Sequence, residues 1–116
     1  MIKSTKRILY DAERKLRKGW SQGHSTRSRD GTPLELDLIN AGYKPYSWCL
    51  AGAIAHADRW VYSAEYYKAI DALIKAIARK TKKKRRDFNY LVSWNDSPRR
   101  KKKDVLKIIQ LARKLA

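Results

Sequence analysis

The stretch SAEYYKAIDALIKAIARK, residues 63–80, decides how this chain folds. Tyr66, Ile70, Leu73, Ile74 and Ile77 recur at intervals of three and four. At about 100° per residue they fall on one stripe of an α-helix. Lys68, Lys75 and Arg79 fall opposite, and Lys82 and Arg86 join them if the helix runs on. Ser63 is a good N-cap, and Glu65 suits the positive end of the helix dipole. The spacing predicts an amphipathic helix from near Ser63 to at least Lys80.

The same period appears on either side of it. From about Ser4 to Lys18, Thr5, Ile8, Leu9, Ala12 and Leu16 share an apolar face, while Lys3, Lys6, Arg7, Arg14 and Arg17 lie opposite with Tyr10. Gly19 reads as a helix stop that accepts the left-handed conformation without steric cost. A second helix is expected after Ser47, as its N-cap, to about Arg59. Its Cys49, Ala51, Gly52, Ala53, Ala55 and Ala57 are small enough to admit close neighbours, which places it centrally. A last helix buries Val105, Ile108, Ile109, Ala112 and Leu115, with Ser97-Pro98 expected at its N-cap and first turn.

Between these elements the pattern breaks. Gly23, Gly31, Pro33, Gly42 and Pro45 punctuate residues 19–46. Leu34, Leu36 and Leu38 alternate with polar residues there, as a short extended piece would. Phe88, Tyr90, Val92 and Trp94 alternate in the same way, so a short extended segment is expected near 88–94. The fold class is mainly α: a compact single-domain bundle of about four helices over residues 1–116, with a long irregular 19–46 connection.

Charge carries the functional signal. The chain has 28 Lys and Arg against 11 Asp and Glu, a net charge of +17. Residues 1–29 hold +7 and residues 75–103 hold +11, whereas residues 30–74 hold −3. A small domain needs a net charge of only about 2–8 for solubility. Two five-residue runs concentrate the surplus: Lys82, Lys83, Lys84, Arg85 and Arg86, then Arg99, Arg100, Lys101, Lys102 and Lys103. With Arg79 they form basic arms over 79–86 and 99–103, bracketing Phe88, Tyr90 and Trp94.

Short motifs outside the runs carry a resemblance. Gly19-Trp20, Trp48-Cys49-Leu50-Ala51-Gly52-Ala53-Ile54, Trp94-Asn95-Asp96 and Asp104-Val105-Leu106 resemble a small uncharacterised family of actinobacteria and their phages, with a GW…CLxGA…WND…VL pattern. The resemblance covers most of the chain from residue 19 onward. It implies a mainly helical domain and brings no known activity. The two basic runs depart from that pattern.

Other constellations are thin. Cys49 and His56, seven apart on one helix, share a face but sit about 10 Å apart along its axis, too far for a nucleophile and its base. His24 is the other histidine, so a zinc site would need ligands from scattered positions. Asn95-Asp96 reads as a turn capping the last helix, and Trp94 as a lid on the core. One cysteine excludes an internal disulfide and fits a reducing compartment. The longest largely apolar run, Trp48 to Ala57, is too short to cross a bilayer.

The expectation is a non-enzymatic nucleic-acid-binding protein without metal or cofactor, cytoplasmic in a bacterial or phage-infected cell. Lys75, Arg79, Lys82, Lys83, Lys84, Arg85, Arg86, Arg99, Arg100, Lys101, Lys102 and Lys103 would contact phosphates of RNA or DNA. Lys6, Arg14 and Arg17 would add a second patch, and Phe88 and Tyr90 would touch bases. The alternative is a phage-encoded inhibitor or interaction protein of the anti-CRISPR type. Its basic surface would dock on an acidic host protein or a nucleoprotein complex.

Overall fold

A computed structural model describes residues 2–83 and 87–116. Helix α1, Thr5–Lys18, starts where the Ser4 hydroxyl accepts from the Arg7 N–H at 3.1 Å. Strand β1, Thr26–Arg27, pairs antiparallel with β2, Ser47–Trp48. A short helix, α2, Leu36–Asn40, lies between them. Helices α3 (Leu50–Ala57), α4 (Ala64–Thr81), α5 (Phe88–Asn95) and α6 (Lys102–Leu115) follow. Among the described residues there are thus six helices rather than four, with one two-stranded ribbon.

The amphipathic helices form as their periodicity predicts. Ser63 caps α4, its Oγ accepting from the Tyr66 N–H at 3.2 Å, and Lys82 ends it in a left-handed conformation at φ 59°. Ile8, Leu9, Ala12 and Leu16 of α1 are fully buried. α1 packs against α3, α4 and α6 and forms the centre of the bundle. It runs antiparallel to α3, since Lys3 bonds the Ala57 carbonyl while Lys15 lies over Trp48. It also runs antiparallel to α6, since Lys102 meets Arg17 while Arg113 meets Glu13.

Several expected boundaries are corrected. Ser47 lies in β2, so the cap of α3 falls to Cys49, whose Sγ accepts from the Gly52 N–H at 3.3 Å. Leu34 alone is buried, paired through its backbone with Thr26, while Leu36 and Leu38 enter α2. Residues 88–94 are helical, not extended. Asp87 caps that helix, its Oδ1 accepting from the Tyr90 N–H at 2.8 Å, and Leu91, Trp94 and Asn95 turn inward at helical spacing. Ser97-Pro98 opens a β-turn instead of α6: Arg100 N–H donates to the Ser97 carbonyl at 2.9 Å, with proline in the favoured second position. Helix α6 begins five residues after Ser97, with Lys101 as N-cap and the Asp104 carboxylate accepting from the Lys101 N–H at 2.9 Å.

Gly19 is extended at φ −169°, so it does not stop α1 by a left-handed turn. What it provides is space, because a Cβ there would lie 2.3 Å from the Tyr46 carbonyl oxygen. Gly52 does the same inside α3, where a Cβ would stand 2.0 Å from the Ser25 carbonyl oxygen. The two close approaches press the irregular 19–46 connection onto the helices.

Candidate nucleic-acid interface

The second basic arm is fixed at two points, Arg100 and Lys102. Arg100 lies over the Trp94 indole, its guanidinium carbon 3.8 Å from the ring centroid, and its Nε donates to the Trp94 carbonyl at 2.8 Å. Lys102 reaches across to the Arg17 carbonyl. That contact joins the start of α6 to the end of α1, where Lys15, Arg17 and Lys18 complement the negative pole of the helix. At the start of α6 the charge runs the other way. Lys101, Lys102 and Lys103 crowd a positive pole, with Asp104 the acidic residue of its first turn.

Farther along the α1–α6 pair, Glu13 is 5% exposed and binds from both sides. Arg113 donates to its Oε1 at 2.7 Å and Arg17 to its Oε2 at 2.6 Å. Burial alone would raise the Glu13 carboxyl, but bonds from Arg113, Arg17 and Gln110 hold it below its ordinary value. Tyr10, on the solvent side, has the guanidiniums of Arg7, Arg14 and Arg113 within 5.9 Å of its ring. Lys6, Gln110, Arg113 and Lys114 line an open depression of about 480 Å³ beside it. Of the expected helix-one residues, Lys6 and Arg14 are exposed and Arg17 is paired.

The first arm extends from the C-terminal end of α4. Arg79, Lys82 and Lys83 are exposed there; Lys84, Arg85 and Arg86 lie outside the described residues. Lys75, two turns earlier on α4, is paired with Asp71 at 3.0 Å. Tyr90 is tied down, its hydroxyl 2.6 Å from Thr81 Oγ1 and its ring packed on the core. Phe88 is 46% exposed. Helix α5 therefore links the two arms through the Thr81–Tyr90 and Trp94–Arg100 contacts, over a helix length of about 12 Å. Among the described residues, no acid lies within ion-pair distance of Arg79, Lys82, Lys83, Arg99, Lys101 or Lys103.

Beneath this surface the short motifs meet at one side chain. Asn95, 2% exposed, accepts on Oδ1 from the Trp20 indole at 2.8 Å and from the Leu50 N–H at 3.1 Å. Its Nδ2 donates to the Ser21 carbonyl at 3.2 Å and to Asp96 Oδ1 at 2.9 Å. Asp96 also accepts from the Gly23 N–H at 3.0 Å. The expected cap of the last helix is therefore a tie between α5 and the 19–25 segment, and Asp96 is the C-cap of α5. Sequence reasoning missed this hub. The available signal was an amide flanked by a buried tryptophan and a carboxylate, with a second tryptophan 75 positions away.

Trp94 is buried against the core, over α3 and α4. His56 accepts on Nδ1 from the Trp48 indole at 3.0 Å and stacks on Trp60 at 5.5 Å. Burial, with Lys15 and Lys3 nearby, lowers its pKa to about 4. Cys49 sits at the opposite end of α3, and burial pushes its thiol up. Among the described residues, no three His, Cys, Asp or Glu side chains are grouped to hold a metal ion. No helix there is long and apolar enough to cross a membrane.

No curated protein and no solved structure matches the chain. Residues 2–115 match a family of unknown function, DUF6197, and the chain belongs to that family.

Proposed function

We propose that this protein binds nucleic acid, without catalysing a reaction on it, by setting clustered Lys and Arg against phosphates. The observation that carries the reading is the reach of Lys102 to the Arg17 carbonyl. It merges two cationic segments, separated by 85 positions in sequence, into one surface along α1 and α6. The α1 acids Asp11 and Glu13 are already paired, while Lys6, Arg14, Lys101 and Lys103 are exposed with no acidic partner among the described residues, which supports their availability to a polyanion. A phosphate at the start of α6 would also relieve the crowding of three lysines on a positive helix pole. Phe88 is the exposed aromatic between the arms, free to stack on an unpaired base.

Binding of labelled single-stranded and duplex oligonucleotides, titrated against salt, tests this. If about half of the thirteen cations in 75–103 engage phosphates, log K should fall with log salt at a slope of roughly −5. Affinity that does not move between low and moderate salt refutes the proposal.

A second reading, an inhibitor docked on an acidic host protein or nucleoprotein complex, rests on a different feature. The link between α3 and α4 holds Arg59, Trp60 and Tyr62 at positive φ, and Val61, Tyr62 and Tyr67 are exposed beside it. Non-glycine residues in that region are strained, and such strain clusters at binding surfaces. A stoichiometric protein partner that survives nuclease treatment of a host lysate would favour this reading over the first.

A further inference from the structure

Between α5 and the 19–35 segment lies a half-open cavity of about 240 Å³. Phe88 and Val92 form its accessible apolar wall, above the fully buried Leu91; Asp96 and Glu35 supply carboxylates, with His24 3.9 Å from Glu35. Phe88 and Val92 leave 46% and 37% of their surface open, apolar side chains on the solvent face of α5 that also carries Asn89 and Ser93. The volume exceeds the roughly 150 Å³ that accommodates benzene and falls below the roughly 300 Å³ at which drug-sized pockets begin. It has room for one aromatic ring with a short chain.

The polar side of the cavity is held in place. Asp96 Oδ1 accepts from both Asn95 Nδ2 and the Gly23 N–H, which anchors the carboxylate and leaves Oδ2 for another donor. Asn95 is itself fixed by four hydrogen bonds, and Gly52 lets the Ser25 backbone close against α3. Arg27, the neighbouring cation, spends its guanidinium on the Gln22 and Gly31 carbonyls. Glu35 has His24 at 3.9 Å, so Asp96 is the carboxylate of the lining without a cationic partner among the described residues, in a chain whose net charge is +17.

The geometry points to a binding site for a small organic cation with an apolar body, an arylalkylamine by class. The ring lies against Phe88 and Val92, and the ammonium meets the Asp96 carboxylate. Phe88 is common to this site and to the proposed nucleic-acid surface, but the acidic end at Asp96 takes no part in phosphate contact, so the two readings fail separately.

Phenethylamine and phenylacetate make the test, because they share a ring and differ in the sign of the end group. Each is titrated into the ¹⁵N-labelled protein at neutral pH, without nucleic acid. The amine should shift the resonances of Gly23, Val92 and the Asn95 side chain in a saturable way. The carboxylate should leave those resonances still, although the chain's overall charge favours it. Asp96→Asn keeps the Oδ1 acceptor and should weaken the amine at least tenfold. Val92→Trp fills the cavity and should abolish the shifts while the melting temperature holds. Equal shifts with both probes, no saturation, or unchanged affinity in Asp96→Asn would each overturn the proposal. If Asp96→Asn does not fold, retained amine binding in Val92→Trp overturns it alone.

Discussion

The indole N–H of Trp20 donates to the buried Oδ1 of Asn95 at 2.8 Å, and the same oxygen receives the first backbone N–H of α3. One side chain thus joins the end of α5, the start of α3 and the segment after α1. Each bond alone contributes about 1 kcal/mol, but leaving buried partners unsatisfied costs more. Asn95→Ala should destabilise the protein by about 3 kcal/mol or more, seen as a lower urea midpoint. Asn95→Asp should do no better, since it replaces two donors with an oxygen facing the Ser21 carbonyl and the Asp96 carboxylate. A loss below about 1 kcal/mol for both variants would contradict the role given to Asn95.

That hub also marks where sequence reading stops. Apolar spacing in α1, α4 and α6 was legible because each stripe runs for several turns, long enough to fix a period. Residues 88–94 were not legible, since four alternating apolar residues fit a strand as well as a short helix. The deciding feature is local: Asp87 offers a cap, and Leu91, Trp94 and Asn95 find the core. Ser47 and Ser97 resemble N-caps, yet a ribbon and a β-turn claim them. The two basic runs were visible at once, but not that Lys102 would bring the second run to α1. Nor could spacing reveal that Tyr90 is held by Thr81 while Phe88 stays open. Contacts across 75 or 85 positions have no local signature.

His56 makes stability depend on mildly acidic pH. Its pKa falls from 6.5 to about 4 on folding, because burial disfavours the imidazolium and Lys15 and Lys3 repel it. The unfolded chain then binds more protons than the native one between those values. Stability is fully present above about 6.5 and falls as the pH drops toward 4. The carboxylates Asp11 and Glu13, lowered by their cationic partners against the opposing effect of burial, add their own loss below about 4.5. Urea midpoints between pH 7 and 5 should decline in the native chain and flatten in His56→Gln, which keeps an acceptor for the Trp48 indole. An equal slope in both would exclude His56 as the source.

Glu13 holds α6 to α1 by charge as well as packing. Removing the charge leaves Arg113 and Arg17 without their carboxylate while Glu13's buried position persists. A fully buried pair broken this way costs about 3–5 kcal/mol. Both arginines reach solvent here, which reduces the figure, so Glu13→Gln should cost about 2 kcal/mol. Thermal melts of Glu13→Gln and of Glu13→Gln with Arg113→Met would check it. The double variant should recover part of the loss, because the stranded guanidinium is gone; a double variant worse than the sum of its parts would count against this account.

Neighbouring arginines in the second arm should separate folding from binding. Arg100 lies over the Trp94 indole at 3.8 Å and donates to its carbonyl, whereas Arg99 is exposed, with no acidic partner among the described residues. A cation–π contact with one hydrogen bond is worth about 1–2 kcal/mol. Arg100→Ala should therefore lower the melting temperature by several degrees, and Arg100→Lys should lose much of the same stability despite keeping the charge. Arg99→Ala should leave stability within about 0.5 kcal/mol of the native chain. If Arg99 contacts a phosphate, its removal should make the salt slope for nucleic-acid binding shallower by about one and weaken all sequences alike. Arg100→Lys should leave that slope nearly unchanged. A melting temperature that falls as much in Arg99→Ala as in Arg100→Ala would show that the turn, not the indole, holds the arm in place.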